Sequence, residues 1–179
     1  MAKLNEYNLV FKGLKEGRHL FNYSVDSSFF KEINDSVVEN GDFKVEVTLL
    51  KKSQMLQLDF SIEGKVNSIC DNCLAALTVP VSFEGTIYVK FGAIYDEPSE
   101  EIIILPHEEH EINLAQLIYE FIVVSLPLRS VHSNETDDDS CDDEMIDRLN
   151  QQNHHEEEAI SEDDIDPRWE ALRKLKNNK

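Results

Sequence analysis

Between Phe43 and Ile62 the chain alternates apolar and polar residues twice over, and this constrains its fold more than any other feature. Phe43, Val45, Val47 and Leu49 interleave with Lys44, Glu46 and Thr48; after the polar Lys51-Lys52-Ser53, Leu56, Leu58, Phe60 and Ile62 interleave with Gln57, Asp59, Ser61 and Glu63. A period of two puts alternate side chains on opposite faces, as a half-buried strand requires. Two such strands joined by a short polar link make an antiparallel hairpin. Gly64 breaks the pattern, and a third strand then runs through Val66 to Cys70-Asp71-Asn72-Cys73. A fourth leaves through Leu74, Leu77, Val79, Val81 and Phe83, with Pro80 marking an edge or a bulge. Gly85 bends the chain before Ile87, Val89 and Phe91.

The flanks add two helices. Asn5 to Phe11 and His19 to Val25 read as strands around a turn at Gly13 and Gly17, and Asp26 is placed to cap a short helix over Ser27 to Ile33. After an acidic loop within 92–111, with a short strand from Ile102 to Leu105, comes the stronger helix. Asn113 is its expected N-cap, Gln116 the residue that closes a capping box, and Ile112 with Leu117 a hydrophobic staple. Leu114, Leu117, Ile118, Phe121 and Ile122 give it a wide apolar face, and Pro127 ends it. The expected fold is therefore α+β over 1–131: a mainly antiparallel sheet with one buried helix.

Charge divides the rest. Of 179 residues, the first 95 hold twelve acids and ten bases, whereas 132–166 hold fifteen acids and only Arg148 as a base. Met145, Ile146 and Leu149 suggest a brief helix there, but little else offers a core, so 132–165 is expected to be a flexible acidic arm. Residues 166–179 are basic. Asp166 caps a short helix with Pro167 in its first turn, and Trp169, Leu172 and Leu175 share one side. Asp166, Pro167, Arg168, Trp169 and Leu172 are the candidate partner-docking residues.

A formal net charge of −19 argues against a broad nucleic-acid surface, which needs lysines and arginines to displace counterions. Direct RNA contact is left to local patches such as Lys51-Lys52 or Arg173-Lys174, and a basic protein partner fits the charge better. The opening residues lack the apolar run of a signal peptide, and Phe121 to Leu128 is too short for a membrane helix, which takes about 20 residues. Three cysteines, an odd number, point to the reducing cytoplasm.

Cys70 and Cys73 leave three readings open: a redox pair, half a metal site, or a structural turn. Redox pairs sit at helix N-termini, where the dipole favours thiolate; here strands flank the pair, and Asp71 would raise a neighbouring thiol. A tetrahedral zinc site needs two more ligands, and His132 and Cys141 are the candidates. Zinc is the one cofactor these residues allow for. His107-Glu108-Glu109-His110 lacks the i,i+4 histidine spacing of a zinc protease, and Asp137-Asp138-Asp139 lacks the glycine of a calcium loop. No phosphate loop or nucleophile elbow occurs, so a binding protein is expected rather than an enzyme. The alternative is a thiol-disulfide oxidoreductase using Cys70 and Cys73.

The ordered set of Gly64 to Cys70-Asp71-Asn72-Cys73-Leu74, the helix from Asn113 into Leu126-Pro127, the acidic arm with one cysteine, and Asp166-Pro167-Arg168-Trp169 resembles the YceD-like family of bacterial large-ribosomal-subunit RNA accumulation proteins. The resemblance implies a cytoplasmic, non-enzymatic factor for synthesis, processing or stability of 23S ribosomal RNA. A basic ribosomal protein or assembly factor, or a pre-ribosomal particle, would be its partner. Many relatives carry a second cysteine cluster after the Leu-Pro; this chain has only His132 and Cys141 there, which leaves a mixed site as the version available to it.

Overall fold

The computed structural model describes residues 4–133 and 140–153. A 3₁₀ turn (Leu4–Tyr7) leads into β1 (Asn8–Val10), β2 (Gly17–Val25), α1 (Ser27–Glu32), β3 (Gly41–Lys51), β4 (Met55–Ile69) and β5 (Ala76–Gly92). There follow β6 (Asp96–Ser99), β7 (Ile102–Pro106), β8 (Glu111–Asn113), α2 (Ala115–Val124) and α3 (Asp143–Asn153). The chain divides into two compact units: Met1–Ile69 with Ala76–Ser130, and Cys70–Ala75 with Val131–Lys179.

The first unit is built on a six-stranded sheet in the order β2-β3-β4-β5-β7-β6; β1 and β8 form a separate antiparallel pair. The alternation of Phe43 to Ile62 becomes the β3–β4 ladder, from Lys51 opposite Leu56 to Gly41 opposite Val66. Its apolar set, Phe43, Val45, Val47, Leu49, Leu56, Leu58, Phe60 and Ile62, is at most 3% exposed. Lys44, Glu46 and Glu63, on the opposite face, are exposed. Ile118 and Ile122 of α2 are fully buried, and Phe121 stacks on Phe83 with centroids 4.3 Å apart while meeting Phe60 edge-on at 5.1 Å. Each such apolar side chain removed from water contributes about 1.5–3 kcal/mol, so an α+β unit with one helix buried against its sheet is what this pattern stabilises.

Local rules hold with informative departures. Asp26 caps α1, its carboxylate accepting from the Ser28 backbone N–H at 2.8 Å. The N-cap of α2 is Leu114, one residue later than expected; the Asn113 side chain still accepts from the Ala115 N–H at 3.0 Å, and no capping box forms, as Gln116 donates to Glu120. The expected strand from Asn5 begins as a 3₁₀ turn, and β6 and β8 are strands that periodicity did not reveal. Neither Gly64 nor Gly85 breaks a strand. A Cβ at Gly64 would lie 2.2 Å from the Asp42 carbonyl oxygen, and one at Gly85 would lie 2.6 Å from the Phe83 ring. Both glycines permit close approach inside long strands. Pro80 pairs with Lys65 where no described strand flanks β5 on its other side, the edge position open to a proline. The pairing of β5 with β7 is parallel, the one exception to antiparallel order among the described sheet pairs.

In the second unit, α3 starts where the Asp142 carboxylate accepts from the Met145 N–H, and Glu144 and Arg148 pair one turn apart. It carries Met145, Ile146 and Leu149 as expected. The terminal segment with Asp166, Pro167, Arg168, Trp169 and Leu172, the Arg173-Lys174 pair and Asp137-Asp138-Asp139 lie outside the described residues.

Tyr7 offers a check on the packing of the first unit. Its ring lies edge-on to Phe29 at 4.9 Å, and its hydroxyl donates to the Ser24 carbonyl at 2.9 Å. Burial, helped by the charges of Glu6 and Asp26, pushes its pKa up to about 12 from the ordinary tyrosine value of 10.0, and burial raises Tyr23 too. A folded-state pKa above the unfolded one means that the stability is fully present below pH 10 and is lost as pH rises toward about 12. Denaturant titrations across that window are expected to show a falling midpoint in wild type. In Tyr7→Phe they should show a shallower fall, at a cost near neutrality of about 1 kcal/mol for the lost hydrogen bond.

Candidate metal centre

Cys70–Ala75 is the turn that joins β4 to β5. It closes on itself through two backbone bonds, Cys70 N–H to the Ala75 carbonyl at 2.8 Å and Leu74 N–H to the Cys70 carbonyl at 2.9 Å. The Asn72 N–H points at the Cys70 sulfur, 3.4 Å away. This closure requires Leu74 to adopt a left-handed backbone conformation, φ 61°, where a Cβ is strained. The turn thus aims two sulfurs to one side.

The other ligands come from residues far along the chain. Cys73 Sγ lies 3.5 Å from His132 Nδ1, Cys141 Sγ lies 3.7 Å from the same nitrogen, and Cys70 Sγ lies 3.9 Å from Cys141 Sγ. All four donor atoms fall within 4.8 Å of one another. The sequence-named set, Cys70, Cys73, His132 and Cys141, therefore converges in full. Cys70, Cys73 and His132 are buried and Cys141 is half-buried, and none of the three thiols is in a disulfide. His132 is the one buried polar side chain among the described residues. A histidine withdrawn from water needs a partner, and here its Nδ1 faces two thiols.

These spacings can be compared with a tetrahedral metal. Zinc bonds of about 2.3 Å to sulfur and about 2.0–2.1 Å to nitrogen place sulfurs about 3.8 Å apart and sulfur from nitrogen about 3.6 Å. Three of the donor separations, 3.5, 3.7 and 3.9 Å, fit those figures. A disulfide would need sulfurs about 2.05 Å apart. The donor set thus has the chemistry and spacing to hold a thiophilic metal such as zinc.

Electrostatics follow the same geometry. Burial works against ionising Cys70, yet the backbone N–H groups of Cys73, Asn72 and His132, with the Cys73 thiol, outweigh it and bring the group down to about 6. The opposite expectation, that Asp71 would raise the pair, is thus corrected for Cys70: directed N–H dipoles dominate. Cys141 moves the other way, pushed up to about 11 by burial and then by its hydrogen bonds to Cys70 and Cys73 and by their negative charge. One thiolate therefore discourages the next, a conflict that a divalent cation removes. The thiols and histidine were legible in the sequence; the N–H groups that serve Cys70 were not, since backbone donors carry no residue signature.

His107 and His110 belong to no such donor group among the described residues. His107 stacks near Phe91, and the His110 carbonyl accepts from the Phe11 and Lys12 N–H groups, in a loop rather than on a helix. No helix among the described residues is long and apolar enough to cross a membrane.

Together these features define a β-sheet protein whose strand-connecting turn supplies half of a three-cysteine, one-histidine ligand set. The chain belongs to the YceD family, described as large ribosomal RNA subunit accumulation protein YceD, whose model matches residues 58–176. That span takes in most of β4, the turn and all four ligands. The family's name ties the chain to accumulation of the large-subunit ribosomal RNA. No curated protein and no solved structure matches it.

Leu74 tests the turn without touching a ligand. Its side chain is 63% exposed, so little packing is lost on removing it. Leu74→Gly relieves the left-handed strain and is expected to raise unfolding stability by about 0.5–1 kcal/mol, read as a higher denaturation midpoint at unchanged slope. A lower midpoint would mean that Leu74 is held there by packing.

Proposed function

We propose that the chain is a non-enzymatic, cytoplasmic factor supporting synthesis, processing or stability of 23S ribosomal RNA. It acts through protein partners on a scaffold stapled by zinc at Cys70, Cys73, His132 and Cys141. The observation that carries the process is the family match over residues 58–176. Support for zinc comes from three donor separations of 3.5, 3.7 and 3.9 Å within a group of four whose donor atoms all lie within 4.8 Å of one another. Four protein ligands close a zinc coordination shell, which suits a structural rather than a catalytic metal.

Charge supports a basic ribosomal protein, a basic assembly factor or a pre-ribosomal particle as the partner. The acids of 132–166 attract cationic surfaces and repel phosphate. Direct RNA binding gains nothing from Lys51, whose ammonium donates to the Phe11 and Leu14 carbonyls at 2.9 and 3.0 Å. The lowered Cys70 favours the second reading, a thiol-disulfide oxidoreductase. Against it, a third thiol and an imidazole stand at ligand spacing around the same point.

Elemental analysis of the purified chain is expected to find about one zinc per molecule, lost in both Cys70→Ser and Cys141→Ser; metal absent from wild type overturns the staple. A chain truncated after Asn153 is expected to stop co-purifying with large-subunit precursors while keeping its zinc. Unchanged co-purification would remove the terminal segment, Trp169 included, from partner binding.

A further inference from the structure

Within the first unit, β5 is only partly covered. Its neighbours in the sheet are β4 and β7, but β7 joins at Tyr88 opposite Ile102, where the Tyr88 N–H also reaches the Glu101 carbonyl at 2.7 Å. From Ala76 to Ile87 no described strand pairs with β5 on that side, so its backbone edge is left as a template for another strand. A groove of about 800 Å³ runs along this edge, bounded by Phe83–Ile87, by α2 and by the β6–β7 turn.

The groove has an apolar floor and an acidic rim. Phe83, Ile87, Ile103, Leu117 and Phe121 line it, and Val124 stands 77% exposed at its side. Around them lie Glu84, Glu97, Glu100, Glu101 and Glu120, and among the described residues no lysine or arginine lines the groove. Tyr95 reports the local field. Its hydroxyl donates to Glu97, and that bond, burial and the charges of Glu97 and Glu120 push it up to about 12. The sheet ends in β2 on one side and β6 on the other, and the β6 edge, next to the groove, differs in kind. Strand β6 is four residues long, reads Asp-Glu-Pro-Ser and pairs irregularly, the devices that stop a strand from recruiting another.

We propose that the β5 edge and its groove bind an extended, cationic segment of a partner protein, which adds as a strand beside Ser82–Ile87. Alternate apolar residues of that segment would pack against Phe83, Phe121 and Val124, and its intervening lysines or arginines would meet the glutamate rim. Strand addition takes affinity from backbone bonds and specificity from alternate side chains, and the two faces here ask for opposite chemistry. A second copy of this chain is a poor occupant, because it would bring the same glutamates to the rim. The inference rests on the basic-partner reading above and assigns that partner a place on the sheet domain.

The experiment uses the full chain and two synthetic twelve-residue peptides of equal charge, one alternating lysine with valine and one alternating lysine with serine. Titration calorimetry is expected to show the valine peptide binding at least about tenfold tighter than the serine peptide. Its binding should slow hydrogen exchange of the β5 amides between Ser82 and Ile87. Val124→Asp, and separately Glu84→Lys with Glu120→Lys, are expected to weaken it by about tenfold. Asp42→Lys with Glu46→Lys, on the opposite face, should change it by no more than about twofold. Equal binding of the two peptides, equal loss in both charge-reversed pairs, or protection confined to residues 132–166 overturns the groove, and the last of these leaves the basic-partner reading standing. Binding that appears only after Arg168, Arg173 and Lys174 are changed to Glu would give the groove to the chain's own terminus and likewise overturn the proposal.

Discussion

The structure depends on the register of one hairpin. Strands β4 and β5 pair without a shift from Met55 opposite Lys90 to Ile69 opposite Ala76. A slip of one residue would turn every apolar side chain of one strand outward, so the buried row of Leu56, Leu58, Phe60 and Ile62 holds the register in place. The same register decides where the connecting turn begins and ends. Cys70 and Cys73 are therefore presented by a short closed turn with their sulfurs converging.

Glycine and proline show how that ladder is kept. Gly64 and Gly85 sit inside strands because a neighbouring carbonyl and a phenyl ring approach too closely for a Cβ, and Pro80 sits where its missing N–H costs no ladder bond. As letters in a sequence all three resemble breaks. In the sheet, each is a concession to a close neighbour or to an unpaired edge. The edge that tolerates Pro80 is also the one left open along the glutamate-rimmed groove, so local chemistry and the proposed binding surface share one topological cause.

The four candidate ligands illustrate a second kind of legibility. Their identities could be named from residue type, because sulfur and imidazole donors are few in this chain. Their convergence could not, since nothing in local sequence says that His132 and Cys141 return to a turn about sixty residues earlier. The polarity of Cys70 is a further step removed. It is set by N–H groups of Cys73, Asn72 and His132, against the simple expectation from Asp71.

Sequence alone determined the strand alternation from Phe43 to Ile62, the cap at Asp26, the apolar face of α2, the acid-rich stretch and the ligand inventory. All of these follow from spacing and side-chain chemistry within a few residues. Tertiary structure decided that two suspected strands on either side of Gly64 are one, that β7 joins β5 in parallel and leaves Ala76 to Ile87 without a described strand on that side, and that four distant donors lie within 4.8 Å of one another. Those outcomes depend on which segments meet across the fold, and a chain read one neighbour at a time carries no record of such meetings.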